Sequence, residues 1–213
     1  MAQNQLSSFF QSVLPELVPG NVRSFGAGGQ IYDAEIYGGV NIDTTLDKSI
    51  FKFGRDDSGV PNAKFLTNLE QAGRLASTEE FLATHIGFRV VKFSGAAALT
   101  SAEEAAMKNL LASAYVEIGL GADAQKIAQF SGMHVMAPVD GAASDVSTVT
   151  ASHEVGGCVS SNFIRLRMPI PMQANVELRA KLHLAKAPET VLTSTPNSFG
   201  FVVILHGVKV VAS

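Results

Sequence analysis

The sequence predicts an all-β sandwich with a short N-terminal helix and one inserted helix. Three observations point there. Residues 80–93 form the longest β-type stretch, with Phe81, Ala83, His85, Gly87, Arg89, Val91 and Phe93 alternating against Leu82, Thr84, Ile86, Phe88, Val90 and Lys92. Apolar residues on both faces make this a central strand of a packed sheet. Residues 176–184 alternate more cleanly, with Val176, Leu178, Ala180, Leu182 and Leu184 on the inward side. Glycine, at 19 copies, supplies the turns that many short strands need.

A chain of 213 residues can bury one good core, so residues 21–213 are expected to form a single domain behind a helical segment at 1–20. Apolar residues make up 46% and charged residues only 16%, which suits a surface partly hidden against neighbouring subunits. A net charge of −3 and no two adjacent Lys or Arg residues provide no field for nucleic acid, so direct genome binding is not expected. The lone Cys158 rules out an intrachain disulfide and a cysteine metal cage. With no signal-peptide pattern and no apolar run near the ~20 residues that span a bilayer, the chain is expected to be soluble and unexported.

In residues 5–18, Leu6, Phe9, Phe10, Val13, Leu14 and Leu17 recur at helical spacing, and Pro15 followed by Pro19-Gly20 keeps the helix short. Its apolar stripe needs a partner: this domain, a neighbouring subunit, or a membrane surface. Strands are expected at 30–37 and 49–53, joined through a turn at Gly38-Gly39, and a short strand at 64–69. The cluster Gly26-Ala-Gly-Gly29 lacks the following Gly-Lys-Ser/Thr of a phosphate loop. Asp56-Asp57 lacks the remaining donors of a calcium loop.

Ser101 and Glu104 match a capping box and open a helix to about residue 112. Its inward face is Ala106, Leu110 and Ser113, or Met107, Leu110 and Leu111. Residues 115–120 resume the sheet through Val116, Ile118 and Leu120, whereas 122–130 fit either a helical turn or a loop. A short strand at 133–137 precedes a long surface excursion of small residues at 139–157. Residues 162–169 form a strand that Pro169 and Pro171 should terminate. A polar loop at 187–198 then leads to a closing strand at 199–211, buried on both faces. The total is about nine or ten strands and two helices.

No catalytic or metal-ligating constellation emerges, and no cofactor is expected. His85, His134, His153, His183 and His206 form no metal-type pair, although His183 and His206 fall on strands that could be neighbours. No serine or cysteine sits in a nucleophile elbow, and the adjacent pairs Glu79-Glu80 and Glu103-Glu104 diverge.

Two stretches carry a family resemblance. Thr67-Asn-Leu-Glu-Gln-Ala-Gly-Arg-Leu-Ala-Ser-Thr-Glu-Glu-Phe-Leu-Ala-Thr-His-Ile-Gly-Phe-Arg-Val90 resembles the opening strands of jelly-roll major capsid proteins of tailless icosahedral bacteriophages, of the corticovirus and Finnlake-virus type. Ile164-Arg-Leu-Arg-Met-Pro-Ile-Pro-Met-Gln-Ala-Asn-Val-Glu-Leu-Arg-Ala180 and Gly200-Phe-Val-Val-Ile-Leu-His-Gly-Val208 are similar to their late strands, and the helix leading into Tyr115-Val-Glu-Ile-Gly-Leu-Gly121 keeps the same order. Many relatives carry two jelly rolls in one chain, whereas this length holds one.

The resemblance implies a jelly-roll sandwich and a non-enzymatic protein of the virion, made in the host cytoplasm. It would assemble with copies of itself, as trimers or higher, and with other capsid proteins into an icosahedral shell. Phe9, Phe10, Val13 and Leu14 are the expected assembly contacts, with residues 139–157 as a second. The same N-terminal helix would supply any contact with an internal membrane. The alternatives are a ligand- or carbohydrate-binding sandwich, against which the missing tryptophan counts, a minor capsid or vertex protein, and a metal-dependent enzyme on the same scaffold.

Overall fold

Alternating apolar residues fold here into two antiparallel four-stranded sheets that face each other across one core. The computed structural model describes residues 29–55, 57, 59–93, 99–121, 125–132, 163–174, 176–194 and 198–212. The strands are β1 Gly29–Asn41, β2 Asp47–Ile50, β3 Glu79–Lys92, β4 Tyr115–Leu120, β5 Gln125–Ser131, β6 Phe163–Met172, β7 Leu178–His183 and β8 Phe199–Ala212. Helices α1 Ala63–Leu66, α2 Ser101–Ala112 and α3 Thr190–Thr193 lie between them. The described residues thus hold eight strands and three helices. The first sheet runs β1-β8-β3-β6 and the second β2-β7-β4-β5. β1 pairs with β8, β2 with β7, β3 with β6 and β4 with β5, so the chain behaves as one long hairpin folded over on itself. β3 also pairs with β8, and β4 with β7.

The inner faces meet in a core that includes Phe81, Phe88, Ile118, Met172, Leu182, Phe201 and Val203, and α2 adds Met107, Leu110 and Leu111. Each such side chain contributes roughly 1.5–3 kcal/mol on burial. β3 is an interior strand, as its two apolar faces require. β8 is also buried on both faces: Phe201, Val203 and Leu205 point into the core, and Val202 and Ile204 lie under Leu66 on the outside.

The faces of β3 differ from simple alternation. Its ladder slips between Ala83 and His85, leaving Thr84 as an extra residue against β8. A bulge reverses every side chain beyond it. Phe81 and Ala83 therefore share the core with Ile86 and Phe88, whereas His85 moves to the outer face. Gly207 makes the slip possible, because a Cβ there would overlap the Leu82 carbonyl.

Several expectations at glycine and proline are corrected. Gly38-Gly39 is not a turn; β1 passes straight through it, since the Phe51 ring occupies the space above Gly38 and Leu66 that above Gly39. Phe51 adopts φ 59°, which ends β2 at Ile50 rather than at 53. Residues 63–66 form α1 instead of a strand, because one helical turn lowers Leu66 onto the outer face of the first sheet. β6 continues through Pro169 and Pro171 to Met172. It is an edge strand, and residues 166–169 fall in an offset of its ladder, so the missing N–H groups disrupt little.

Elsewhere, 125–131 is strand β5, and the loop at 187–198 contains α3 with Leu192 buried. The capping box of α2 is Thr100 with Glu103, one residue before the expected pair. Its buried face is Ala106, Met107, Leu110 and Leu111, with Ser113 exposed. Residues 1–20, the strand expected at 133–137 and the excursion at 139–157 lie outside the described residues.

Candidate interaction surfaces

The space between the sheets is filled by large side chains, so the polar and aromatic groups that could recognise a partner lie on the outer faces and edges. The bulge at Thr84 organises the first outer face. It aligns Glu35 of β1, His206 of β8, His85 of β3 and Arg165 of β6 in a single row across the sheet. The His85 and His206 ring centroids are 6.1 Å apart, and Phe163 meets His206 edge-on at 5.8 Å. Thr84 Oγ1 donates to the His206 carbonyl at 3.3 Å and lies 2.9 Å from His85 Nδ1. The hydroxyl thus ties the His85 ring to the β8 backbone across the bulge. Burial pushes the His85 pKa down, and the neighbouring His206 and Arg165 push it further in the same direction. His206 Nδ1 is buried with no hydrogen-bond partner among the described residues.

The row on one side is apolar. Tyr37, Ile204, Gly87 and Phe163 form it, and the Phe163 ring covers Gly87. Val91, Phe93, Val202 and Leu66 continue it, and Phe65 stands 6.4 Å from Phe93 with Lys64 Nζ 5.0 Å above its ring. Burial raises the Tyr37 pKa against the opposing pull of Arg55 and Arg89, so the phenol remains a neutral donor. Aromatic side chains with interspersed arginine are the composition of protein–protein contact centres.

The second outer face is polar. His183 Nδ1 lies 2.7 Å from Asp47, and its ring stacks on Tyr115 at 4.4 Å. Its Nε2 is 3.6 Å from Glu117, too long for a hydrogen bond. Glu117 pairs with Lys126, which, against the effect of burial, holds its carboxyl below the usual range. Asp47, Glu117 and Lys126 are thus paired, while His183 Nε2 is buried with no hydrogen-bond partner among the described residues. A shallow polar cleft of about 80 Å³ lies elsewhere, lined by Glu35, Asn68, Arg74, Glu79 and Lys209, with Lys209 and Glu79 paired at 2.6 Å.

The strands of His183 and His206, which could have been neighbours, are not: β7 and β8 belong to different sheets, and the ring beside His206 is His85. That pairing was missed because it depends on the bulge. The available signal was a polar Thr84-His85 step inside an apolar strand, with Gly207 in the closing strand. Phe9, Phe10, Val13 and Leu14 lie outside the described residues, as do His134, His153 and Cys158. Among the described residues no three His, Cys, Asp or Glu side chains converge on a possible metal position, and no helix is long and apolar enough to cross a membrane. Compared with protein-family models, curated proteins and solved structures, the chain has no match.

Proposed function

We propose that the sandwich is a jelly roll and that the chain is a self-assembling shell protein, the major capsid protein of a tailless icosahedral bacteriophage. The observation that carries this reading is the nested pairing of β1 with β8, β2 with β7, β3 with β6 and β4 with β5, divided between sheets β1-β8-β3-β6 and β2-β7-β4-β5. A hairpin rolled up in this way is the eight-strand, double-Greek-key arrangement that viral capsid domains share with lectins and cupins. Such a fold serves several functions, so the reading between them rests on the site.

Two features favour assembly. Lectin and cupin chemistry needs a concave site, and here the space between the sheets is occupied by Phe81, Phe88, Met172 and Phe201. The outer face instead presents Tyr37, Phe65, Phe93 and Phe163 among Arg55, Arg89 and Arg165, a surface suited to another protein. The N-terminal stripe of Phe9, Phe10, Val13 and Leu14 would dock on a neighbouring copy or face an internal membrane. Deletion of residues 1–18 should lower the oligomer mass.

Light scattering across a concentration series tests the reading. Trimers or larger species support it. A strict monomer contradicts it and favours the ligand-binding module.

A further inference from the structure

We infer that the outward edge of β1 is a self-pairing interface, at which a second copy of this chain adds its own β1 antiparallel about a two-fold axis at Tyr32. The inference rests on the assembly reading and names one of its contacts. One edge of β1 is fully used by β8, from Gly29 against Ala212 to Asn41 against Gly200. The other edge is only partly closed. Asn68 Oδ1 accepts from the Tyr37 N–H at 2.9 Å, Asn68 Nδ2 donates to the Glu35 carbonyl at 2.8 Å, and Thr67 bridges to Gly38.

These bonds show which backbone groups face outward. The Tyr37 N–H and the Glu35 carbonyl do, so by the period-two alternation of a strand the N–H and C=O groups of Asp33 and Ile31 do as well. Among the described residues nothing pairs with them.

The other three edge strands carry features that resist addition of a further strand. β6 has Pro169, Pro171 and a broken register. β5 has a register slip opposite Ile118 and Gly119, together with Lys126. β2 is four residues long and includes Asp47 and Lys48. Residues 30–34 of β1 have no proline, no lysine or arginine and no slip, and Asp33 is their one charge. An unprotected edge of this kind is a template for another strand.

The free stretch also selects its partner. Asn68 closes the edge at Glu35, so the open segment 30–34 is centred on Tyr32. Antiparallel self-pairing about that centre sets Ile31 against Asp33 of the partner subunit, and both residues direct their backbone groups outward, as a hydrogen-bonded pair requires. Tyr32, 45% exposed, meets the partner's Tyr32 in a cross-strand aromatic pair, and no carboxylate faces another.

The test uses the full chain and two variants. Asp33→Pro removes an outward N–H and leaves the β8 ladder intact, and Tyr32→Lys places a charge at the centre of the edge. Light scattering over a concentration series is read beside thermal melting of each protein. We expect both variants to melt near the wild type and to associate at least about tenfold more weakly, as loss of paired backbone groups implies. The Ile31 and Asp33 amides should become protected from hydrogen exchange as wild-type concentration rises.

Wild-type assembly by both variants overturns the inference and leaves the shell reading standing. A wild type that stops at a dimer abolished by either variant supports the inference and overturns the shell reading. A monomer whose Ile31 and Asp33 amides are protected at every concentration overturns the inference, because the edge is then closed within one chain. If Asp33→Pro does not fold, Tyr32→Lys decides.

Discussion

Gly207 is the residue on which the first sheet turns, because the slip in β3 brings the Leu82 carbonyl into the space a side chain would need. Gly207→Ala should cost about 3 kcal/mol in urea unfolding, within the range for overpacking a closed site. Gly59, where a side chain would meet nothing among the described residues, is the control. Gly59→Ala should stay within about 0.5 kcal/mol. Equal effects at the two positions would contradict the role given to the bulge.

His85 supplies a second test. Its folded pKa lies below the ordinary histidine value, so the unfolded chain binds the proton more readily. The stability this provides is complete above about pH 6.5 and is lost as pH falls through the folded pKa. His85→Gln should flatten that part of the profile in unfolding measured from pH 7.5 to 5, and parallel profiles would contradict it. The histidines were visible in the sequence. Their partners were not, because one extra residue at Thr84 reverses the outward set.

Strands with clean alternation were legible: β3, β7 and β8 lie within a few residues of their expected limits, since period-two burial is written in the side chains themselves. Segments governed by glycine and proline were not. Gly38 and Gly39 looked like a turn, yet they stay in β1 because Phe51 and Leu66 fill the space above them, and only the tertiary structure supplies those partners. Pro169 and Pro171 looked like a stop, yet they are accommodated because β6 has a strand neighbour on one side alone among the described residues.

The α2 cap was displaced by one residue because Thr100 and Ser101 are both capping residues, and Lys92 of β3 selects Glu103 as the partner at 2.8 Å. Burial raises the Glu103 pKa, but Lys92 and the Thr100 N–H outweigh it and leave the carboxyl below its usual range. Glu103→Ala should cost about 1–2 kcal/mol at pH 7, the range for a lost cap with its ion pair. The cost should shrink as pH falls through the acid range, because protonation removes the same contacts in the wild type. Unfolding at pH 7 and at pH 3 reads both values, and a cost that does not change with pH would contradict the assignment.

The eight strands bury one core between two sheets and leave outside a row of Glu35, His206, His85 and Arg165, an aromatic band beside it, and an edge of β1 at 30–34 that is unpaired among the described residues. The sandwich class was legible from the periodicity and glycine content, whereas the sheet order was not, since nested pairing joins residues as distant as Gly29 and Ala212. A filled interior and an aromatic outer face are what the proposed shell role requires. Electron microscopy of the purified full-length protein, negatively stained over a range of concentration and salt, tests self-assembly most directly. Closed particles of uniform diameter, or the trimers and larger oligomers that build them, are expected. A field of monomers under every condition would contradict it.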